Sequence, residues 1–153
     1  MNKGVIKIDF RILIILSMLL LSSTLFFGCT DTTTETPTQE TPTQIIQDIS
    51  AEEAHSLIED NRGNPNFLII DVRTPDEYAS GYIENSILID VNGDDFEAKI
   101  GELDKDSKYL VYCKSGGRSR SAVKYMQEQG FKEVYNMLGG IVGWTTAGLP
   151  TVK

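Results

Sequence analysis

The chain has 153 residues, of which 41% are hydrophobic and 24% charged; single domains usually run to about 100–200 residues, so there is room for one domain with appendages and none for a second catalytic domain. The formal net charge is -8, and residues 1–28 hold Lys3, Lys7 and Arg11 against Asp9, so the remainder is more acidic still. That balance argues against non-specific nucleic-acid binding, which needs a basic face to displace phosphate counterions.

Lys3, Lys7 and Arg11 precede an apolar run over 12–27, the order of charges and apolar residues found in a secretory leader. The run closes on Leu25-Phe26-Phe27-Gly28-Cys29, which resembles a prokaryotic lipobox with Phe26 where Leu is usual. Residues 1–28 are therefore expected to be a signal peptide or an N-terminal membrane anchor, with Cys29 as the lipidation site. An uncleaved helix over 12–28 would just reach the lower limit for a membrane span, about 17 residues. Either route puts the following domain outside the cytoplasm, because the basic residues stay inside. Residues 29–44 make a linker of Thr and Pro in which Glu-Thr-Pro-Thr-Gln occurs twice, at 35–39 and 40–44. No core can form from it, and it is expected to be an extended tether of up to about 3.1 Å per residue.

The domain is read over 45–153. Ser50-Ala51-Glu52-Glu53 is a capping-box pattern and predicts a helix over 51–60. A loop with Gly63 and Pro65 leads to a continuous apolar run over 67–72, the mark of a strand covered on both faces. Thr74-Pro75-Asp76-Glu77 starts a second, short helix that Gly81 closes. A strand over 86–90, a helix over 94–103 and a buried strand over 109–113 follow. A helix over 119–129 stops at Gly130, with Phe131 placed for the contact that follows such a stop. The last elements are a strand over 134–137 and a helix over 141–147. Strands alternating with helices, and apolar throughout, predict an α/β domain of three layers with a parallel sheet covered on both faces. Ligands of such sheets bind beyond the carboxyl ends of the strands, where Cys113 falls.

Cys113-Lys114-Ser115-Gly116-Gly117-Arg118, followed by Ser119, lies between a buried strand and a helix start. Gly116 and Gly117 let the backbone curl so that successive N–H groups point inward, the next helix presents its positive end, and Arg118 adds a permanent cation. A thiol on the floor of such an anion cradle ionises readily.

With these residues the chain resembles the rhodanese family over 46–152. The resemblance rests on Asp71-Val72-Arg73 with Glu77, the loop at 113–118, Gly130-Phe131, and Leu138-Gly139-Gly140 followed by Trp144, Gly148 and Pro150. It implies a five-stranded sheet in the order 3-2-4-5-1 and a sulfurtransferase that takes sulfane sulfur from a donor such as thiosulfate and passes it to a thiophilic acceptor, which can be a protein. In that scheme Cys113 bears the persulfide and Arg118 stabilises it together with the donor's charge. Lys114, Ser115, Gly116, Gly117 and Ser119 bind the donor, with Lys114 tuning preference from the rim. Asp71, Arg73 and Glu77 are expected to be a structural polar set beside the site, and Trp144 a core residue. The departure from the family pattern is at Tyr82, Asn85 and Ser86, where His and Gly-Ala are usual, which puts local packing in question. His55 is expected at the surface.

Two other functions fit the same fold. A tethered, non-catalytic module for sulfur binding or protein interaction would use the pocket for recognition alone. A phosphatase loop separates cysteine and arginine by five positions, whereas here the separation is four and Ser119 stands where that arginine would be. Asp90-Val91-Asn92-Gly93-Asp94-Asp95 resembles a calcium loop only briefly, since its sixth position is Asp95 and its twelfth Gly101. No metal or organic cofactor is implied. Cys29 and Cys113 are separated by a polar tract and are not expected to pair, so the fold must rest on an ordinary hydrophobic core.

Overall fold

The computed structural model describes residues 44–153; the leader, Cys29 and the repeats up to residue 43 lie outside the described residues. Among the described residues no helix is long and apolar enough to cross a membrane. Five strands, β1 (Ile45–Ile49), β2 (Phe67–Asp71), β3 (Ser86–Leu88), β4 (Lys108–Tyr112) and β5 (Glu133–Met137), form one sheet in the order β1-β5-β4-β2-β3. Every neighbouring pair is parallel. Read from the other edge, this is the order 3-2-4-5-1. The helices are α1 (Ala51–Asp60), α2 (Pro75–Ala79), α3 (Phe96–Gly101), α4 (Gly117–Glu128) and α5 (Gly140–Thr146).

Alternation along β4 shows how the two faces are filled. Tyr109, Val111 and, one step past the strand, Cys113 point to a cluster completed by Phe96 and Ile100 of α3 and Ala122, Val123 and Met126 of α4. Leu110 and Tyr112 point the other way, to Ala51 and Ala54 of α1 and Ile141 and Trp144 of α5. Tyr109, Leu110, Val111 and Tyr112 are all fully buried. Each such side chain stabilises the fold by about 1.5–3 kcal/mol relative to exposure, so the strand that delivers Cys113 is held on both sides.

Both capping boxes form. Ser50 Oγ accepts from Glu53 N–H while Glu53 accepts from Ser50 N–H, and Thr74 and Glu77 do the same at α2. Gly130 adopts φ +87° and Phe131 N–H donates to Met126 O at 3.1 Å, closing α4 over a buried Phe131.

Several elements differ from the pattern reading. β1 carries no continuous apolar run: only Ile49 is buried, and Gln47 and Asp48 face outward at the sheet's edge. The helix expected over 94–103 is shorter, Phe96–Gly101; Asp95 stands at its N-cap without a side-chain cap and pairs with Lys99 at 2.8 Å. α4 begins at Gly117 rather than Ser119, so Arg118 stands in its first turn. His55 is half-buried, not a surface residue: its ring meets Trp144 edge-on with centroids 5.7 Å apart. Trp144 is core, 2% exposed, and its indole N–H donates to Pro150 O.

The segment that departs from the family pattern packs through its own residues. Tyr82 stacks on Tyr78 at 4.0 Å, and the Tyr78 hydroxyl donates to Ser86 O at 2.7 Å. The Ser86 hydroxyl meets the buried Tyr112 hydroxyl at 3.1 Å, which also accepts from Ile83 N–H. Asn85 takes φ +63°, a left-handed conformation that Asn tolerates better than most residues.

Candidate functional site

β4 ends at Tyr112, and Cys113 follows at the carboxyl end of the sheet's central strand. Its thiol is free and 1% exposed. Gly116 turns the chain with φ +99°, and its N–H donates to Cys113 Sγ at 3.1 Å. A side chain at Gly116 would press on Gly139 N at 3.3 Å besides straining the backbone.

Burial pushes the Cys113 thiol up, but the Ser119 hydroxyl and the N–H groups of Ser119, Ser115 and Gly116 outweigh it and hold the thiol below its ordinary value. The Ser119 hydroxyl has a single proton and also lies 3.2 Å from Gly116 O, so it serves one of two acceptors at a time. Once a negative sulfur sits beside it, the charged acceptor is the stronger one.

The loop is fastened from behind by α5. Ile141 N–H donates to Cys113 O at 2.8 Å and Val142 N–H to Lys114 O at 3.1 Å. Both carbonyls are thereby committed to α5, while the Gly116 N–H serves the sulfur. Gly140 makes this possible: it adopts φ +55°, and a Cβ there would fall within 2.7 Å of Lys114 O and closer still to Cys113 O. The sequence reading quoted Gly139-Gly140 only as part of a resemblance and gave it no role; two glycines between a strand and a helix start were the available signal.

The charged residues divide into pairs. Asp71 and Arg73 form a buried ion pair, with Arg73 Nη2 at 2.6 Å from Asp71 Oδ2 and Nε contacts at 2.9 Å. Arg73 also donates to Gly81 O and lies 5.7 Å from the centre of the Tyr112 ring. Glu77 is not part of that pair. It accepts both arms of Arg118, at 2.7 and 2.8 Å, while holding the Thr74 cap. The Arg118 hydrogen bonds chiefly lower its carboxyl to about 2 against the opposing effect of burial. Lys114 is exposed, and its ammonium has no ion-pair partner among the described residues. Arg73, Glu77, Ser80, Lys114, Ile141 and Val142 line a shallow depression of about 250 Å³ beside the loop, and Cys113 is not among its lining residues.

A buried, activated thiol in an N–H cradle at a strand end is the arrangement that a family assignment has to explain. The model of the rhodanese-like domain matches residues 50–147. This chain belongs to the rhodanese-like family. A sulfurtransferase of Allochromatium vinosum is 32% identical over 108 residues, covering 71% of this chain and 96% of that protein. The crystal structure of a rhodanese-related protein from Thermoplasma volcanium superposes with a TM-score of 0.58 at 33% identity, covering 69% of this chain and 97% of that one. A tRNA uridine(34) hydroxylase of Cytophaga hutchinsonii is 41% identical over 78 residues, which are 49% of this chain and 25% of that protein. The rhodanese-like domain of this chain and its sulfurtransferase relatives support a sulfur-transfer role.

Proposed function

We propose that this rhodanese-like protein is a sulfurtransferase in which Cys113 accepts sulfane sulfur as a persulfide and passes it to a thiophilic acceptor. The observation that carries the reading is the Cys113 thiol, buried yet held below its ordinary pKa by donors of the loop and of α4's first turn. The thiolate attacks the outer sulfur of thiosulfate; the S–S bond breaks, its electron pair leaves with sulfite, and a Cys113 persulfide forms. An acceptor such as cyanide then takes the outer sulfur and returns the thiolate. No net oxidant is needed. The N–H groups of Ser115, Gly116 and Ser119 and the Ser119 hydroxyl stabilise negative sulfur in both steps, as preorganised donors do in a site of low polarity.

The leader and linker support a further part of the proposal: lipidation at Cys29, or a retained N-terminal helix, tethers the domain to the membrane outside the cytoplasm. Protease digestion of intact spheroplasts should remove the domain, and Cys29→Ser should abolish incorporation of labelled fatty acid if lipid is the anchor.

The catalytic reading is tested with the full chain in detergent, by thiosulfate-to-cyanide transfer. Turnover that Cys113→Ser abolishes is the expected result. A folded protein that transfers nothing from thiosulfate or polysulfide would favour the non-catalytic module, which the near-complete burial of Cys113 would then explain.

A further inference from the structure

The charges around Cys113 bear on which donor the site takes, and the argument rests on the sulfurtransferase reading above. Three cations belong to the elements around the site: Arg73 just after β2, Lys114 next to Cys113 in the chain, and Arg118 in the first turn of α4. Arg73 is neutralised by buried Asp71. Arg118 is neutralised by Glu77 in a two-armed pair, and Asp90 adds a further negative field at the same guanidinium. Lys114 is the one cation of the three without a carboxylate partner among the described residues. With these groups ionised, Lys114 is therefore the cation of the three that no carboxylate offsets before any donor arrives.

We propose that this site selects sulfane-sulfur donors that bring a single negative charge, as persulfides, polysulfides and thiosulfonates can, over the dianion thiosulfate, with Glu77 setting that preference by occupying Arg118. A dianion would bring two charges to a site in which one cation of three lacks a carboxylate partner. Releasing Arg118 to meet the second charge would break two charge-assisted hydrogen bonds and leave Glu77 in a half-buried position. Glu77 is also anchored to the Thr74 backbone and hydroxyl, so it cannot swing away without opening the start of α2.

The chemistry is the same for both donor classes and balances in each. The Cys113 thiolate forms a bond to the outer sulfur, the donor S–S bond breaks, and the electron pair departs with the leaving group. That group is sulfite from thiosulfate, methanesulfinate from methanethiosulfonate, or a thiolate from a persulfide. Total charge is conserved in every case, and only the charge brought into the site differs.

Methanethiosulfonate and thiosulfate differ by one charge at similar size, which makes them the probes. With the full chain in detergent, kcat/KM for each is measured with cyanide as acceptor, and one-sulfur adducts on Cys113 are followed by mass spectrometry. The ratio of the two donors is divided by the same ratio for free cysteine, which removes their intrinsic difference. The expected ratio favours methanethiosulfonate by about tenfold, the size of effect expected for one extra charge a few Å away under near-aqueous screening. Glu77→Gln keeps a capping-box residue and frees Arg118, so it should raise thiosulfate use and reduce the preference about tenfold. Lys114→Gln, at an exposed position that cannot unfold the domain, should enlarge it. A ratio at or below that of free cysteine, or one unmoved in folded Glu77→Gln and in Lys114→Gln, overturns the proposal. If neither donor loads Cys113, the sulfurtransferase reading itself fails, an outcome distinct from loading without selectivity.

Discussion

Four of the five helix starts of this domain fall into two groups. At α1 and α2 the chain satisfies its own orphan N–H groups: Ser50 with Glu53, and Thr74 with Glu77, close reciprocal boxes in which side chains consume the donors. At α4 and α5 the N-cap is glycine with positive φ, and no side chain caps either helix. There the donors are spent on the site: α4 and the turn before it serve the Cys113 sulfur, and α5 grips the carbonyls of Cys113 and Lys114. Two ends are closed for stability and two are left open, and the open pair meets at the cysteine. Glu77 links the groups, since it closes α2 and holds Arg118 of α4 with the same carboxylate.

The contrast can be broken in order of expected effect. Asp71→Ala would leave Arg73 buried without its partner, and stripping one member of a buried pair costs about 3–5 kcal/mol; chemical denaturation should show that loss. Gly140→Ala should cost about 2–3 kcal/mol from backbone strain and collision with the loop, and it should also slow alkylation of Cys113, because the loop must shift to make room. Ser50→Ala, at a closed end, should cost about 1 kcal/mol and leave the alkylation rate of Cys113 unchanged. The pairing of those two readouts is the sharper test: a Ser50→Ala variant that altered thiol reactivity would remove the distinction between open and closed ends. The smallest effect is on pH dependence. Glu77 is lowered from 4.5 to about 2, so the stability it contributes is present above pH 4.5 and lost as pH falls toward 2. The stability difference between Glu77→Gln and the parent chain should be constant above pH 4.5 and shrink through that window on acid titration.

How much was legible follows from what each signal encodes. The capping boxes and the apolar runs of β2 and β4 are local patterns, and they placed Cys113 at a strand end before a helix. β1 escaped because an edge strand with one buried residue has no apolar run to see; the family resemblance, not periodicity, implied a fifth strand. The start of α4 was placed two residues late, because Gly116-Gly117 reads as turn whereas Gly117 is already helical. The partner of Arg118 could not be read at all, since Glu77 lies 41 residues away and only the sheet order brings α2 and α4 together. Likewise, Tyr82 and Ser86 looked like gaps in a family pattern until Tyr78 and Tyr112 were found against them.

The central claim is that Cys113 carries the transferred sulfur. Its most direct test is mass spectrometry of the full chain after exposure to thiosulfate or methanethiosulfonate, with the adduct mapped to a peptide. One added sulfur atom on Cys113, removed by cyanide and absent from Cys113→Ser, is the predicted result. An unmodified Cys113 in folded protein with either donor would contradict it.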